Sequence, residues 1–410
     1  MTKHEADVLI IGAGPSGALA AAHLLRRGLK VLILEKETFP RFSIGESLLP
    51  QSMGLLEDAG LLRPVVEAGF QFKNGATFNF RGEKTAFDFR EKTSEGWGTI
   101  YQVERALFDT VLANAVAKQG AEVRFRNEIL EVTPGETRTQ VKVRGEDGEI
   151  YEASGRFLLD ASGFGRVLPR MLKLERPSDF PVRQAIYGHI HDHIGRESGF
   201  DRNKILISSH PDHPEVWYWL IPFSSGHTSV GVVGEKAFFA KYGTDLPQTL
   251  RALHDEEPSL RALLKDAVWD VMPARAITGY ATNVSALHGP GFALLGNAGE
   301  FLDPVFSSGV TIAFKSASLA APLVARQLAG ETVDWEREYA TPLKAGVAVF
   351  RGFVESWYRG AFLKVIFHPR QDPQVRKMIC AVMAGYAWDQ SNPYVAEPRR
   401  LRTLETLCAE

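Results

Sequence analysis

The run Gly12-Ala13-Gly14-Pro15-Ser16-Gly17 lies between the apolar run Val8-Leu9-Ile10-Ile11 and a helix-forming stretch from Ala18 to Arg27. Nothing else in the sequence narrows the possible folds as much. An unbroken apolar run, rather than an alternating one, marks a strand buried on both faces, as in a parallel sheet. Gly12 permits the tight turn that follows it, Gly14 lets a pyrophosphate approach the backbone, and Gly17 lets the helix lie close to the strand. The first helical turn then offers its unpaired N–H groups to phosphates. Gly28 ends the helix, Val31 to Leu34 form a second strand, and Glu35 closes that strand, 18 residues beyond Gly17. A carboxylate there can accept hydrogen bonds from ribose hydroxyls. Together the strand, helix, second strand and acid predict a dinucleotide-binding βαβ unit.

The texture then changes along the chain. A helical pattern resumes between Tyr101 and Ala117, Glu122 to Tyr151 alternates as strands do, and Phe157-Leu158-Leu159 runs into an Asp160-Ala161-Ser162-Gly163 turn. From about Pro181 to Gly234, the segments Tyr187–His193, Ile205–Ser209, Val216–Pro222 and Thr228–Val233 are expected to be antiparallel strands. Phe292 to Leu295 restores the buried-strand texture, followed by an Ala-rich helix from Gly309 to Leu328 and a helical tail. The expected fold is α/β: a discontinuous Rossmann-type domain over 1–70, 101–175 and 285–340, a β-rich domain over 71–100 and 176–284, and a helical region over 341–410.

Composition narrows the function. The 410 residues carry 47 Lys and Arg against 49 Asp and Glu, a net charge of -2, which offers no basic excess for nonspecific nucleic-acid binding. Two cysteines, Cys380 and Cys408, cannot build a disulfide framework or a four-thiolate metal site. His191 with His193, and His210 with His213, lack the carboxylate or cysteine spacing that completes a metal site, so no metal is expected. No apolar run reaches the length of a membrane span and no signal peptide opens the chain, so a cytoplasmic location is expected.

Three further segments share one pattern: Arg41-Phe42-Ser43-Ile44-Gly45-Glu46-Ser47-Leu48-Leu49-Pro50, Gln102-Val103-Glu104-Arg105, and Gly296-Asn297-Ala298 with Asp303-Pro304-Val305-Phe306-Ser307-Ser308-Gly309. With Trp217-Tyr218-Trp219-Leu220-Ile221-Pro222, a W-x-W-x-I-P strand, they resemble the flavin-dependent halogenases, within the glutathione-reductase-like, p-hydroxybenzoate-hydroxylase-type flavoproteins. The resemblance covers residue 5 to about 330.

It implies FAD, with Gly12, Gly14, Pro15, Ser16 and Gly17 at the pyrophosphate and Glu35 and Lys36 at the adenosine ribose. Arg41, Glu46, Ser47 and Arg105 would lie along the cofactor, Asn297 at the ribityl chain, and Asp303, Gly309 and Val310 beside the ring. Most relatives have Asp where this chain has Asn297. Lys73 matches the lysine these enzymes require to carry hypohalous acid, either as a hydrogen-bonding ammonium or as a haloamine; either role suits a desolvated lysine. Halide would rest on the Ser308 and Gly309 amides. Trp217, Trp219, Ile221 and Pro222 would wall the passage from flavin to substrate. Phe306 stands where tryptophan halogenases carry a glutamate, which places the chain nearer the relatives acting on phenols and pyrroles.

No second glycine fingerprint follows, so FADH2 is expected from a separate flavin reductase, with chloride or bromide as co-substrate. Some such relatives take their aromatic substrate on an acyl-carrier protein, which makes a carrier a candidate partner. The alternatives are a geranylgeranyl-reductase-type or hydroxylase-type flavoenzyme without halogenation, and a flavin-binding module that has lost its chemistry.

Overall fold

The computed structural model describes residues 3–409. Strand Val8–Ile11 is fully buried and pairs in parallel with Val31–Leu34 on one side and Phe157–Asp160 on the other. Glu122–Arg124 and Phe292–Leu294 extend the sheet in parallel, and only the two-residue His288–Gly289 strand runs antiparallel. Helix Pro15–Leu25 leaves the first strand with Pro15 in its first turn, where a missing N–H costs nothing. It packs on helix Gly309–Leu328. Gly17 explains how closely helix and strand approach: a Cβ there would stand 2.0 Å from the Gly12 carbonyl oxygen. Gly12 itself turns with φ +95°, a conformation that favours glycine.

A seven-stranded sheet faces this unit. Its order is Val268–Thr278, Arg183–His191, His227–Glu235, Trp217–Pro222, Lys204–Ser209, Gly75–Phe80 and Glu83–Asp88. All neighbours are antiparallel except Lys204–Ser209 with Gly75–Phe80. Side chains alternate across the sheet. Ala185, Tyr187, Trp217 and Trp219 enter the main core, whereas Ile186, Tyr218 and Val232 pack beneath helices Leu246–Glu256 and Pro258–Leu263.

The expected strands in this region form: three start within one residue of expectation, and Arg183–His191 starts four residues early. One long strand, Val268–Thr278, and the two short helices before it had no sequence expectation. That strand lies at the sheet edge, is exposed or half-buried along its length, and contains Pro273. It therefore has neither a clean alternation nor an apolar run, and an internal proline is tolerated only at such an edge. The tail is helical, with its longest helix over Thr341–Tyr358. Among the described residues no helix is long and apolar enough to cross a membrane, and no group of three metal-ligating side chains occurs.

Candidate active site

A cavity of about 630 Å³ runs from the glycine turn to the inner face of the seven-stranded sheet. Gly12, Gly14, Pro15, Ser16, Glu35 and Lys36 line one end. Arg41, Glu46, Ser47, Arg105, Asn297, Gly309 and Val310 follow, and Trp217, Trp219 and Ile221 belong to the apolar far wall. The cradle has room for a ligand: a Cβ on Gly14 would meet nothing nearer than the Arg41 guanidinium at 3.5 Å. Open space beside helix N–H groups, flanked by an arginine, fits a pyrophosphate.

Each polar group on the wall is held in place. Glu35 accepts from the Ala13 and Glu37 amides, both at 2.9 Å, so it braces the glycine turn besides lining that end of the cavity. Glu35→Ala is expected to strip the buried Ala13 amide of its partner. The cost should be about 2 kcal/mol of stability, read by denaturant unfolding of the protein without added FAD. Arg105 forms a two-pronged bond to Asp109 at 2.8 and 3.0 Å, and its remaining nitrogen donates to the Ile44 carbonyl at 2.7 Å. Arg41 reaches the same carboxylate at 3.2 Å. Buried Asp109 thus bridges both arginines, leaves one positive charge in excess and fixes the 41–47 loop against the cavity.

Lys73 has no solvent exposure. Its Nζ donates to Ser47 Oγ at 2.6 Å and to the Leu48 carbonyl at 2.7 Å, and it sits 5.4 Å from the centre of the Phe89 ring. Burial without a carboxylate partner pulls its pKa from 10.5 to about 7. The fold therefore favours the neutral amine. Stability contributed by this site is present above pH 10.5 and is lost as pH falls toward about 7, at about 1.4 kcal/mol per pH unit. Lys73→Met should remove that slope, which chemical unfolding of both proteins across this pH range would show.

Five residues expected at the site stand elsewhere than on the cavity wall. Gly17 serves the helix–strand contact. Lys73 lies one side chain behind the wall and reaches it through Ser47. Ser308 is buried, and Ser307, in a left-handed turn with φ 55°, takes its place on the wall beside Gly309. Pro222 ends its strand away from the cavity. Asp303 is buried behind the wall: Oδ1 accepts from the Val305 amide at 3.0 Å, and Oδ2 accepts from the Tyr358 hydroxyl at 2.8 Å and the Tyr280 hydroxyl at 3.3 Å. Burial raises its pKa to about 6. Asp303 thus shapes the turn before Ser307 without touching the cavity.

Sequence reasoning also missed two parts of the wall. Asn127, Glu128, Ile129, Arg170 and Met171 close the end beside Glu35, and Ala185, Ile205, Ile207, Ile277 and Tyr280 extend the apolar face. Only Ile205 and Ile207 carried a signal, the inward phase of an expected strand; the others carried none. The tail, which has no motif, packs behind the far wall without lining the cavity. Trp217 Nε1 donates to the Tyr358 hydroxyl at 3.0 Å, and Phe306 meets Phe353, Trp357 and Phe362 edge-on with ring centres 6.0, 6.2 and 5.2 Å away.

The family described as FAD binding domain matches residues 5–193. A solved structure described as a flavoprotein/dehydrogenase from Cytophaga hutchinsonii is 41% identical, covers 99% of each chain and superposes with a TM-score of 0.95. The flavin-dependent halogenase rdc2 of Metacordyceps chlamydosporia is 30% identical over 370 residues, 84% of this chain and 69% of that one. The 1H-pyrrole-2-carbonyl-[peptidyl-carrier protein] chlorinase of Pseudomonas fluorescens is 28% identical over 416 residues, 94% of this chain and 90% of its own. Fold and cavity define an FAD-dependent oxidoreductase of the p-hydroxybenzoate-hydroxylase-like class. Within that class the chain belongs to the flavin-dependent halogenase family.

Proposed function

We propose that this enzyme uses reduced FAD, dioxygen and chloride or bromide to halogenate an electron-rich aromatic ring of the phenol or pyrrole kind. The observation that carries the reading is Lys73, fully buried and joined to the cavity wall by its bond to Ser47. When bound, reduced flavin supplies the electrons that activate dioxygen toward halide. The chain's own groups do the rest. Ser307 and the amides at the start of the Gly309–Leu328 helix offer a halide a site on the wall, where a helix N-terminus favours an anion. The apolar wall of Trp217, Trp219, Ile221 and Ile207 keeps water from the oxidised halogen. Lys73, with amine and ammonium forms both populated near neutral pH, receives that halogen and directs it to one carbon.

Phe306 supports a self-activating ring as substrate, because this loop presents no carboxylate to act as base at that position. A carrier-tethered substrate is supported by the carrier-protein chlorinase among the relatives, and reduced flavin would come from a separate reductase. The test is turnover with chemically reduced FAD, oxygen and bromide on a phenol dye, scored by brominated product. A reductase reading is favoured by the dehydrogenase description of the Cytophaga structure. The same assay separates the two, since hydride transfer to a carbon–carbon double bond needs neither oxygen nor halide.

A further inference from the structure

We propose that Glu46 and His189 form the proton inlet of the flavin cavity, His189 taking protons from solvent and Glu46 delivering them to the wall. This rests on the halogenase reading, whose stoichiometry demands such a path. Reduced FAD, dioxygen, halide, aromatic C–H and one proton give FAD, the carbon–halogen bond and two waters. The flavin is oxidised, both oxygen atoms are reduced to water, and one proton per turnover enters from outside.

One pair of groups at the cavity wall suits it. Four carboxylates line the wall: Glu35, Glu37, Glu46 and Glu128. Glu35, Glu37 and Glu128 belong to the adenosine end, around Lys36 and Asn127. Glu46 alone neighbours Ser47, the partner of Lys73. Glu46 is 3% exposed, and its Oε1 lies 2.7 Å from His189 Nε2, a strong bond between two titratable groups. The His189 side chain is 12% exposed and stands on the cavity-side face of strand Arg183–His191, in phase with Ala185 and Tyr187. Rings hold it edge-on, Phe42 at 5.8 Å and Phe223 at 5.3 Å.

The charged groups around His189 suit proton uptake. Burial lowers its pKa, but the hydrogen bond and charge of Glu46, then Glu104 ahead of helix Arg105–Lys118, outweigh burial and raise it, with Arg275 of the neighbouring strand opposing. In each transfer the Nε2–H bond breaks as an O–H bond forms on Glu46. Glu46 passes that proton to the oxygen reduced in the cavity, and the neutral imidazole takes one proton from hydronium or buffer acid in solvent. His189 acts through Glu46 and is a positioning and relay residue rather than a catalytic one.

The test uses FAD-loaded protein, chemically reduced, with bromide and phenol red across the pH range. Wild type should lose bromination rate as pH rises through the His189 pKa. His189→Gln should flatten that limb and slow turnover roughly tenfold or more. His189→Ala should regain rate with added imidazole. In parallel, NMR titration of the oxidised holoenzyme should show the His189 pKa falling in Glu46→Gln. Retained FAD absorbance certifies that each variant is folded. If His189→Gln keeps the wild-type rate and profile, the inlet is wrong and the halogenase reading stands. If wild type brominates nothing, that reading falls, and the titration alone judges the pair: a His189 pKa indifferent to Glu46→Gln overturns it.

Discussion

Replacing Lys73 with alanine is expected to abolish bromination while FAD stays bound and dioxygen is still reduced, its product diverted to hydrogen peroxide. The side chain lies behind Ser47 and not on the cavity wall, so its loss leaves the cofactor's own contacts intact. What disappears is the buried amine bonded to Ser47, the group proposed to receive the oxidised halogen. The cavity left by a fully buried side chain complicates alanine, so Lys73→Met serves as the shape-matched control. Methionine fills the volume and supplies no proton-bearing nitrogen, and it should be equally inactive, at least about a hundredfold below wild type. Parallel product and peroxide assays decide the matter: bromination at the wild-type rate by Lys73→Met would remove Lys73 from the chemistry.

The second large effect concerns the glycine turn, where two glycines three residues apart behave differently. A Cβ at Gly14 meets only Arg41, at 3.5 Å, so Gly14→Val should fold without FAD much as wild type does. The added side chain projects into the space the pyrophosphate needs, and FAD affinity should fall by roughly a hundredfold or more. Gly17→Ala is the opposite case. Its methyl would stand 2.0 Å from the Gly12 carbonyl oxygen, so the helix must move off the strand and stability should drop even without cofactor. Thermal unfolding with and without FAD separates the two. A Gly14→Val protein that gains as much melting temperature from FAD as wild type would show that the pyrophosphate lies elsewhere.

The glycine turn, its flanking strands and Glu35 were legible because that chemistry is local: a turn, a helix start and an acid at fixed spacing. The inner phase of strand Trp217–Pro222 was legible for the same reason, since Trp217, Trp219 and Ile221 recur with period two. Ser307 and Ser308 were not separable, because which serine faces the cavity depends on the left-handed turn at Ser307, held by the Val305 amide bond to Asp303. Asp303 itself belongs to a cofactor motif yet faces Tyr358, a residue of the tail that sequence motifs leave blank. Glu46 was readable as a cavity residue, but its partner His189 is 143 residues away and meets it only through the sheet. Edge strand Val268–Thr278 was unreadable because solvent relaxes the alternation that inner strands must keep.

On the proposed mechanism, the buried lysine joined to the cavity transfers halogen to an aromatic ring. The most direct measurement is mass spectrometry of a phenol dye after one turnover of FAD-loaded wild type and Lys73→Met, chemically reduced and given oxygen and bromide. Wild type should give the bromine isotope doublet, with Lys73→Met giving peroxide and unmodified dye. Unmodified dye from wild type, or brominated dye in equal yield from both proteins, would contradict it.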